Sequence, residues 1–293
     1  MDSSVKGIGL FSFTMLICAF LDMVAKYIIH MAPAVITSSW RYLLIFSCSV
    51  FFVLIRGNLK HCLCLMPKDS LLLLRGIFQG LFGGLQLLAI TMCPLSIVIS
   101  IIFTMPLFLL LFSRFLLKED VKFYQWVMVI IGFIGVGIII RPSGNLHFLG
   151  VVLALLSMLS YCMFQVITRK IASKYKPEEL MFSTMSLAFL INLALSFFMG
   201  HNIIYDTPFM NMHYMLPLLT FGIVAYTGNI FIIRAFSLTK ASVLAPFNYL
   251  QLALTLLISV FVFQEKLDML TWVGILAIML SGIGQSVMVG RGK

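Results

Sequence analysis

The sequence is short of charge. Asp, Glu, Lys and Arg make up 10% of its 293 residues, whereas a soluble domain averages about 25%. So few polar side chains cannot cover a water-facing surface of this size, which excludes a soluble globular protein. Acidic residues are the scarcest: there are ten, and only Asp22 lies well inside a hydrophobic run. The five His are scattered in or near loops, and no pair of them has metal-ligand spacing. Among six cysteines the only close pair is Cys62-Leu-Cys64, so all six read as small packing residues rather than a zinc site. A glycine-rich ATP-binding loop is also missing, which excludes a nucleotide-driven pump. With one deep carboxylate and no histidine pair, an integral-membrane enzyme is a remote alternative, and so is a membrane scaffold without transport, which has no reason to retain polar residues on inward faces of both halves. No cofactor and no metal are expected.

What is plentiful is apolar. Hydrophobic residues make up 61% of the chain, and the mean hydropathy is +1.10. This is the composition of a multi-pass membrane protein. A spanning helix needs about 20 apolar residues. Ten runs meet or approach that length: 7–29, 34–55, 71–91, 95–116, 122–141, 148–168, 180–199, 215–234, 241–263 and 268–289. The first is too long for the core of a signal peptide and has no convincing cleavage site, so it reads as the first span. No appended soluble domain is expected. The connections are short and carry breakers or charge, as in Arg141-Pro142-Ser143-Gly144-Asn145.

The net charge of +10 is spread through these connections rather than gathered in a patch. It therefore reads as a topology signal and not as a nucleic-acid surface. With a cytoplasmic N-terminus, sixteen of the twenty Lys and Arg fall at cytoplasmic ends. Lys26, Arg41, Arg141 and Lys266 are the exceptions. Both termini are expected to face the cytoplasm.

The chain also resembles itself. A shift of 146 positions lays Ala89 on Ala235, Ser96 on Ser242, Glu119 on Glu265 and Trp126 on Trp272. Nearer the start, a shift of 143 lays Gly7 on Gly150, Lys26 on Arg169 and Asp22 on Gln165. The expected organisation is two homologous halves, 1–146 and 147–293, of five helices each. An odd number of spans forces the second copy to insert upside down. Inverted repeats of this kind frame a substrate site near the midplane.

Polar residues inside the spans are the candidates for chemistry. Asp22 and Lys26 share one helix face a turn apart. Charges at membrane depth cost about 2.5–3.5 kcal/mol each, so they pair or line a wet cavity. Asp22, with Lys26, is the candidate coupling site. Arg41 is placed to join them, while Lys26 could equally snorkel to the interface. In the third span Gln79, Gly83 and Gln86 share a face, whereas Gly76, Gly80 and Gly84 form a small-residue packing stripe. Tyr161 and Gln165 are four apart in the sixth span, and Tyr226 and Asn229 three apart in the eighth. The ninth reads Ala245-Pro246-Phe247-Asn248-Tyr249-Leu250-Gln251, and the fourth carries Thr104-Met105-Pro106. Pro106 and Pro246 are expected to kink or break their helices, the pattern that marks a binding region, though prolines that only shape packing are tolerated there too. The candidate substrate contacts are Gln79, Gln86, Tyr161, Gln165, Tyr226, Asn229, Asn248 and Tyr249. Glu119 and Glu265, near helix N-termini, read as loop anchors.

Several stretches resemble the ten-helix EamA-type members of the drug/metabolite transporter superfamily. They are Asp22-Met-Val-Ala-Lys26, Arg41, the Pro106…Leu-Lys-Glu119 ending, Gly132-Phe-Ile-Gly135-Val-Gly137, and Arg234-Ala-Phe-Ser-Leu…Ala245-Pro246…Tyr249…Gln264-Glu265. The resemblance implies an all-α bacterial inner-membrane carrier with a central cavity between its halves. It would move a small organic solute such as an amino acid, a nucleotide-like metabolite or a vitamin. A coupling proton, an exchange substrate and a homodimer are all compatible with it. The Ala-Pro…Tyr stretch and Leu-Arg75-Gly are similar to S-adenosylmethionine uptake carriers, which carry more charge where this chain has Asn248 and Gln251.

Overall fold

In the computed structural model, the described residues are 3–28, 31–55, 59–65, 69–93, 95–140, 147–202, 205, 207–208, 211–263 and 269–291, with the backbone alone at some of them, Lys26 and Ser96 included. They are helical throughout. The first half holds α1 (Ser3–Ile28), α2 (Ala34–Ile55), a short α3 (Leu59–Leu65), α4 (Ser70–Met92), α5 (Leu95–Ile102), α6 (Met105–Phe115) and α7 (Phe123–Ile140). The second holds α8 (Phe148–Ile171), α9 (Pro177–Phe198), α10 (Met212–Leu238), α11 (Ala241–Leu244), α12 (Tyr249–Phe263) and α13 (Met269–Arg291). Among the described residues seven stretches are long and apolar enough to cross a bilayer: Ser4–Val24, Val35–Ile55, Ser70–Met92, Phe148–Ile171, Pro177–Phe198, Met212–Leu238 and Ala241–Ile258. Shorter apolar helices cover Met105–Phe115, Phe123–Ile139 and Met269–Gln285.

The outward faces are greasy. Phe197, Phe198 and Phe261 are at least 80% exposed, and Phe51, Leu276 and Leu280 at least 60%. A water-facing protein does not expose apolar area on this scale. Hydrocarbon is the solvent that makes it favourable. The chain is a multi-pass membrane protein.

Without a hydrophobic force between helices in lipid, small and polar residues hold the bundle. Gly76, Gly80 and Gly84 let α4 lie on Leu187, Ile191 and Leu195 of α9, as a packing stripe requires. Gly135 and Gly274 bring α7 and α13 together, each meeting the other's carbonyl. Ser39 Oγ lies 2.7 Å from Ser196 Oγ, and Ser38 donates to Asn192 Oδ1, stitching α2 to α9. The packing also has a symmetry. α4 lies on α8 as α10 lies on α1, α4 on α9 as α10 on α2, and α12 on α1 as α5 and α6 on α8. The pairs α2–α9 and α7–α13 each join equivalent helices. Each of these pairings recurs when the halves are exchanged.

Both spans expected to kink or break at proline are broken, whereas α10 runs unbroken through Pro217. α5 and α6 are separate helices, and Pro106 sits in the first turn of α6, where its missing N–H leaves no gap. In the second half a turn of 3-10 helix, Ala245–Asn248, separates α11 from α12. Pro246 cannot donate within that turn. Asn248 Nδ2 supplies a donor instead, to Ala245 O at 3.1 Å.

Candidate functional site

Asp22 lies toward the end of α1, and its carboxylate is held by α12. Oδ2 accepts from Gln251 Nε2 at 2.9 Å and from Thr255 Oγ1 at 3.1 Å. Asp22 keeps exposed surface beside these two bonds, which places it to line a hollow beside α12. Arg41 of α2 faces the same space: its charge acts on Asp22. Its guanidinium stacks 4.2 Å above the Phe221 ring of α10. It makes no hydrogen bond to any described residue, so its donors remain available. Tyr42 follows, its hydroxyl donating to Gln79 O at 3.3 Å, with Gln79 Nε2 3.4 Å away. Gly83 makes room for that ring, since a Cβ there would meet the Tyr42 hydroxyl at 2.6 Å.

The α8 side brings aromatic surface and amides. Tyr161 stacks on Phe82 of α4 with centroids 4.5 Å apart, and Asp22, Tyr42 and Cys18 act on its hydroxyl. One turn on, Gln165 Nε2 donates to Asn248 Oδ1 at 3.1 Å. This ties α8 to the broken span. Asn248 is free to accept there because its amide nitrogen is turned back to Ala245 O. Three buried polar atoms near these groups have no partner: Gln79 Oε1, Gln165 Oε1 and the Tyr249 hydroxyl. Buried polar groups are nearly always satisfied, so such orphans are places where a ligand or water belongs.

The structure therefore brings together Asp22, Arg41, Gln79, Tyr161, Gln165 and Asn248. Tyr249 stands behind Asn248, fully buried and seated in the gap left by Gly132 of α7. Gln86 is half-buried farther along α4. The other two candidates are engaged elsewhere. Tyr226 stacks on Phe52 of α2 at 5.1 Å, and Asn229 Nδ2 donates to Ala225 O of its own helix. The side chain of Lys26 and all of Glu265 lie outside the described residues. Sequence reasoning missed Tyr42 and Thr255. Each is an ordinary residue in an apolar run, and only its neighbours single it out. Arg75, grouped by sequence with the loop cations, is fully buried. It donates to Thr168 Oγ1 at 2.8 Å, to Leu180 O at 2.9 Å and to Thr184 Oγ1, and lies 4.6 Å over Phe164. Among the described residues no His, Cys, Asp and Glu cluster could hold a metal.

Packed apolar helices with two broken spans are the setting in which membrane solute carriers build their sites. The EamA-like transporter family matches residues 5–141 and again 148–284, and the chain belongs to it. It is 23% identical over 273 residues to an S-adenosylmethionine uptake transporter of Rickettsia conorii, covering 90% of this chain and 86% of that one. A protein of the same description from Rickettsia felis is 24% identical over the same shares. Pseudopaline exporter CntI of Pseudomonas aeruginosa is 24% identical over 189 residues, 61% of this chain and 62% of its own. A solved crystal structure superposes with a TM-score of 0.77 at 16% identity, covering 98% of this chain and 99% of the other. The last likeness speaks to the fold alone.

Proposed function

We propose that the chain is a secondary carrier that moves a small zwitterionic metabolite across the bacterial inner membrane by alternating access. In this reading ten spans form two inverted halves, 1–146 and 147–293, with both termini cytoplasmic. The exchange symmetry of the packing and the excess of Lys and Arg at one set of loops support it.

The observation that carries the proposal is the opposite-charge pair in the hollow, joined by no direct hydrogen bond. Asp22 offers Oδ1 and Arg41 offers free donors. Two opposite charges that do not neutralise each other directly fit a molecule with both signs. Its ammonium goes to Asp22 and its carboxylate to Arg41, whose planar fork matches a carboxylate. Gln79, Gln165 and Asn248 supply further hydrogen bonds, with Tyr249 behind Asn248 and Gln86 farther along α4. Asp22, with Lys26 a turn away in sequence, is the coupling group: proton or substrate occupies it in turn.

A narrower reading takes the substrate to be S-adenosylmethionine itself. The Rickettsia relatives carry that name, and the Phe82–Tyr161 stack offers a face for a planar base. The test is a thermal-shift panel of amino acids, nucleosides, S-adenosylmethionine and flavins on the purified protein, followed by flux in proteoliposomes. A ligand that binds the native state raises the melting point. Compounds with an α-amino-acid headgroup should stabilise the protein and cross the bilayer. Equal stabilisation by uncharged nucleosides, or no flux of any zwitterion, would count against the proposal.

A further inference from the structure

Glu119 was expected to anchor a loop, and the contacts it makes are richer than that. The carboxylate lies just past α6 in the first half, and all its partners are in the second. Oε1 accepts from Arg169 Nε of α8 and from Ala241 N, both at 3.1 Å. Oε2 accepts from Ser242 N at 3.0 Å and Ser242 Oγ at 2.8 Å. Arg169 also donates to Phe236 O, at the end of α10, at 2.6 Å. One side chain thereby joins the end of α6 to α8 and α11, and through Arg169 to α10. Hydrogen bonds to a charged group are roughly twice as strong as neutral ones, so the closure of this end is concentrated in one residue.

That end of the molecule is shut. Ala235, Phe236, Ala241 and Leu244 have no exposed surface. Gly7 lets α1 press on Thr239, whose hydroxyl donates to Ser4 O at 3.2 Å. Asp22 is farther along α1, about 27 Å of helix rise from Ser4, and it is exposed. The Glu119 end is therefore the closely packed one.

α11 is four residues long and runs through the 3-10 turn straight into α12. The piece that Glu119 holds by its N-terminus is the piece that carries Asn248, Gln251 and Thr255 into the hollow. The latch is also accessible. Arg169 is 25% exposed, and an open depression of about 300 Å³, lined by Leu116, Leu117, Lys170 and Ser173, lies beside it. Water can replace the donors as the latch opens, so the release does not strand a bare charge. The repeat lays Glu119 on Glu265, Arg169 on Lys26 and Ser242 on Ser96, so the sequence holds the same three kinds of residue twice.

We infer that Glu119 is a positioning residue of the transport cycle: its carboxylate latches the broken span that bears the site, and it must release for the hollow to open on that side. This rests on the carrier reading above. The test is side-specific labelling of Leu244→Cys by a membrane-impermeant maleimide added at the Glu119 face, read by peptide mass spectrometry so that the native cysteines do not interfere. It needs no substrate, so its outcome is separate from that of the flux assay. Glu119→Gln keeps the shape and removes the charge. It should raise the labelling rate roughly tenfold, the population shift that follows from weakening charge-assisted bonds, and Glu119→Asp should restore most of the protection. Ser242→Ala, which removes one donor, should give a smaller rise in the same direction. Unchanged labelling in a folded Glu119→Gln protein would overturn the inference. So would unchanged labelling in Ser242→Ala if Glu119→Gln fails to fold.

Discussion

Gly132 is the position where one methyl group should reach the site from a distance. A Cβ at this residue of α7 would lie 2.3 Å from Tyr249 Cδ2 and 2.6 Å from Cε2. Carbon atoms in contact sit about 3.5–4.0 Å apart, so Gly132→Ala must push the ring by about 1 Å or more. The ring is fully buried. Overpacking of this kind costs about 1–3 kcal/mol. The displacement passes to Asn248, the preceding residue, whose 3.1 Å bond from Gln165 is already at the long end. Losing that bond while both groups stay buried adds about 1–3 kcal/mol. Gly132→Ala should therefore lower the melting temperature and weaken zwitterion uptake by roughly tenfold or more, since about 1.4 kcal/mol is a factor of ten. The measurements are thermal unfolding in detergent and initial uptake rates in proteoliposomes. The clash belongs to one pair of residues. Adding Tyr249→Leu to Gly132→Ala should recover part of the stability, a positive coupling in a double-mutant cycle. Wild-type melting and uptake in Gly132→Ala, or additive losses in the double variant, would refute this chain of contacts.

Three further outcomes are expected. Asp22→Asn should leave insertion and folding intact but slow or uncouple proton-driven flux, because Gln251 and Thr255 can still bond the amide while its charge is gone; pH-gradient-driven uptake measures this. Arg41→Met should raise KM for a zwitterion roughly ten- to a hundredfold, the loss of a charged hydrogen bond, and should spare a substrate analogue lacking the carboxylate. Asp69, the N-cap of α4, accepts from Lys174 and Tyr175 at its Oδ2 and from Leu71 N. The bond from Lys174, above all, holds its carboxyl at about 2. A depressed carboxyl stabilises the fold fully above its unfolded value near 4, and that contribution is lost as pH falls through about 2. The stability difference between the wild type and Asp69→Asn, measured by thermal unfolding, should thus be largest near neutral pH and shrink below pH 4.

Apolar run length and the scarcity of charge are local properties, and hydrocarbon acts on them span by span. For that reason the sequence alone determined that the chain is helical, membrane-embedded and of the EamA-like kind, and it placed the breaks near Pro106 and Pro246. Solitary residues such as Asp22 were also conspicuous, because a charge at depth needs a reason. The tertiary structure decided which polar groups share a space. Nothing in the spacing of Tyr42, Gln79 and Thr255 relates them to Asp22, since they come from different helices. Only the crossing of α1, α2, α4 and α12 makes them neighbours. The reverse holds for Tyr226 and Asn229, whose helical spacing looked like a site and whose packing turns them toward Phe52 and their own backbone. Arg75 is the plainest case: by sequence it ranks with the loop cations, and the fold encloses it between α4, α8 and α9. Burial and partnership are properties of three-dimensional contact, and no one-dimensional pattern encodes them.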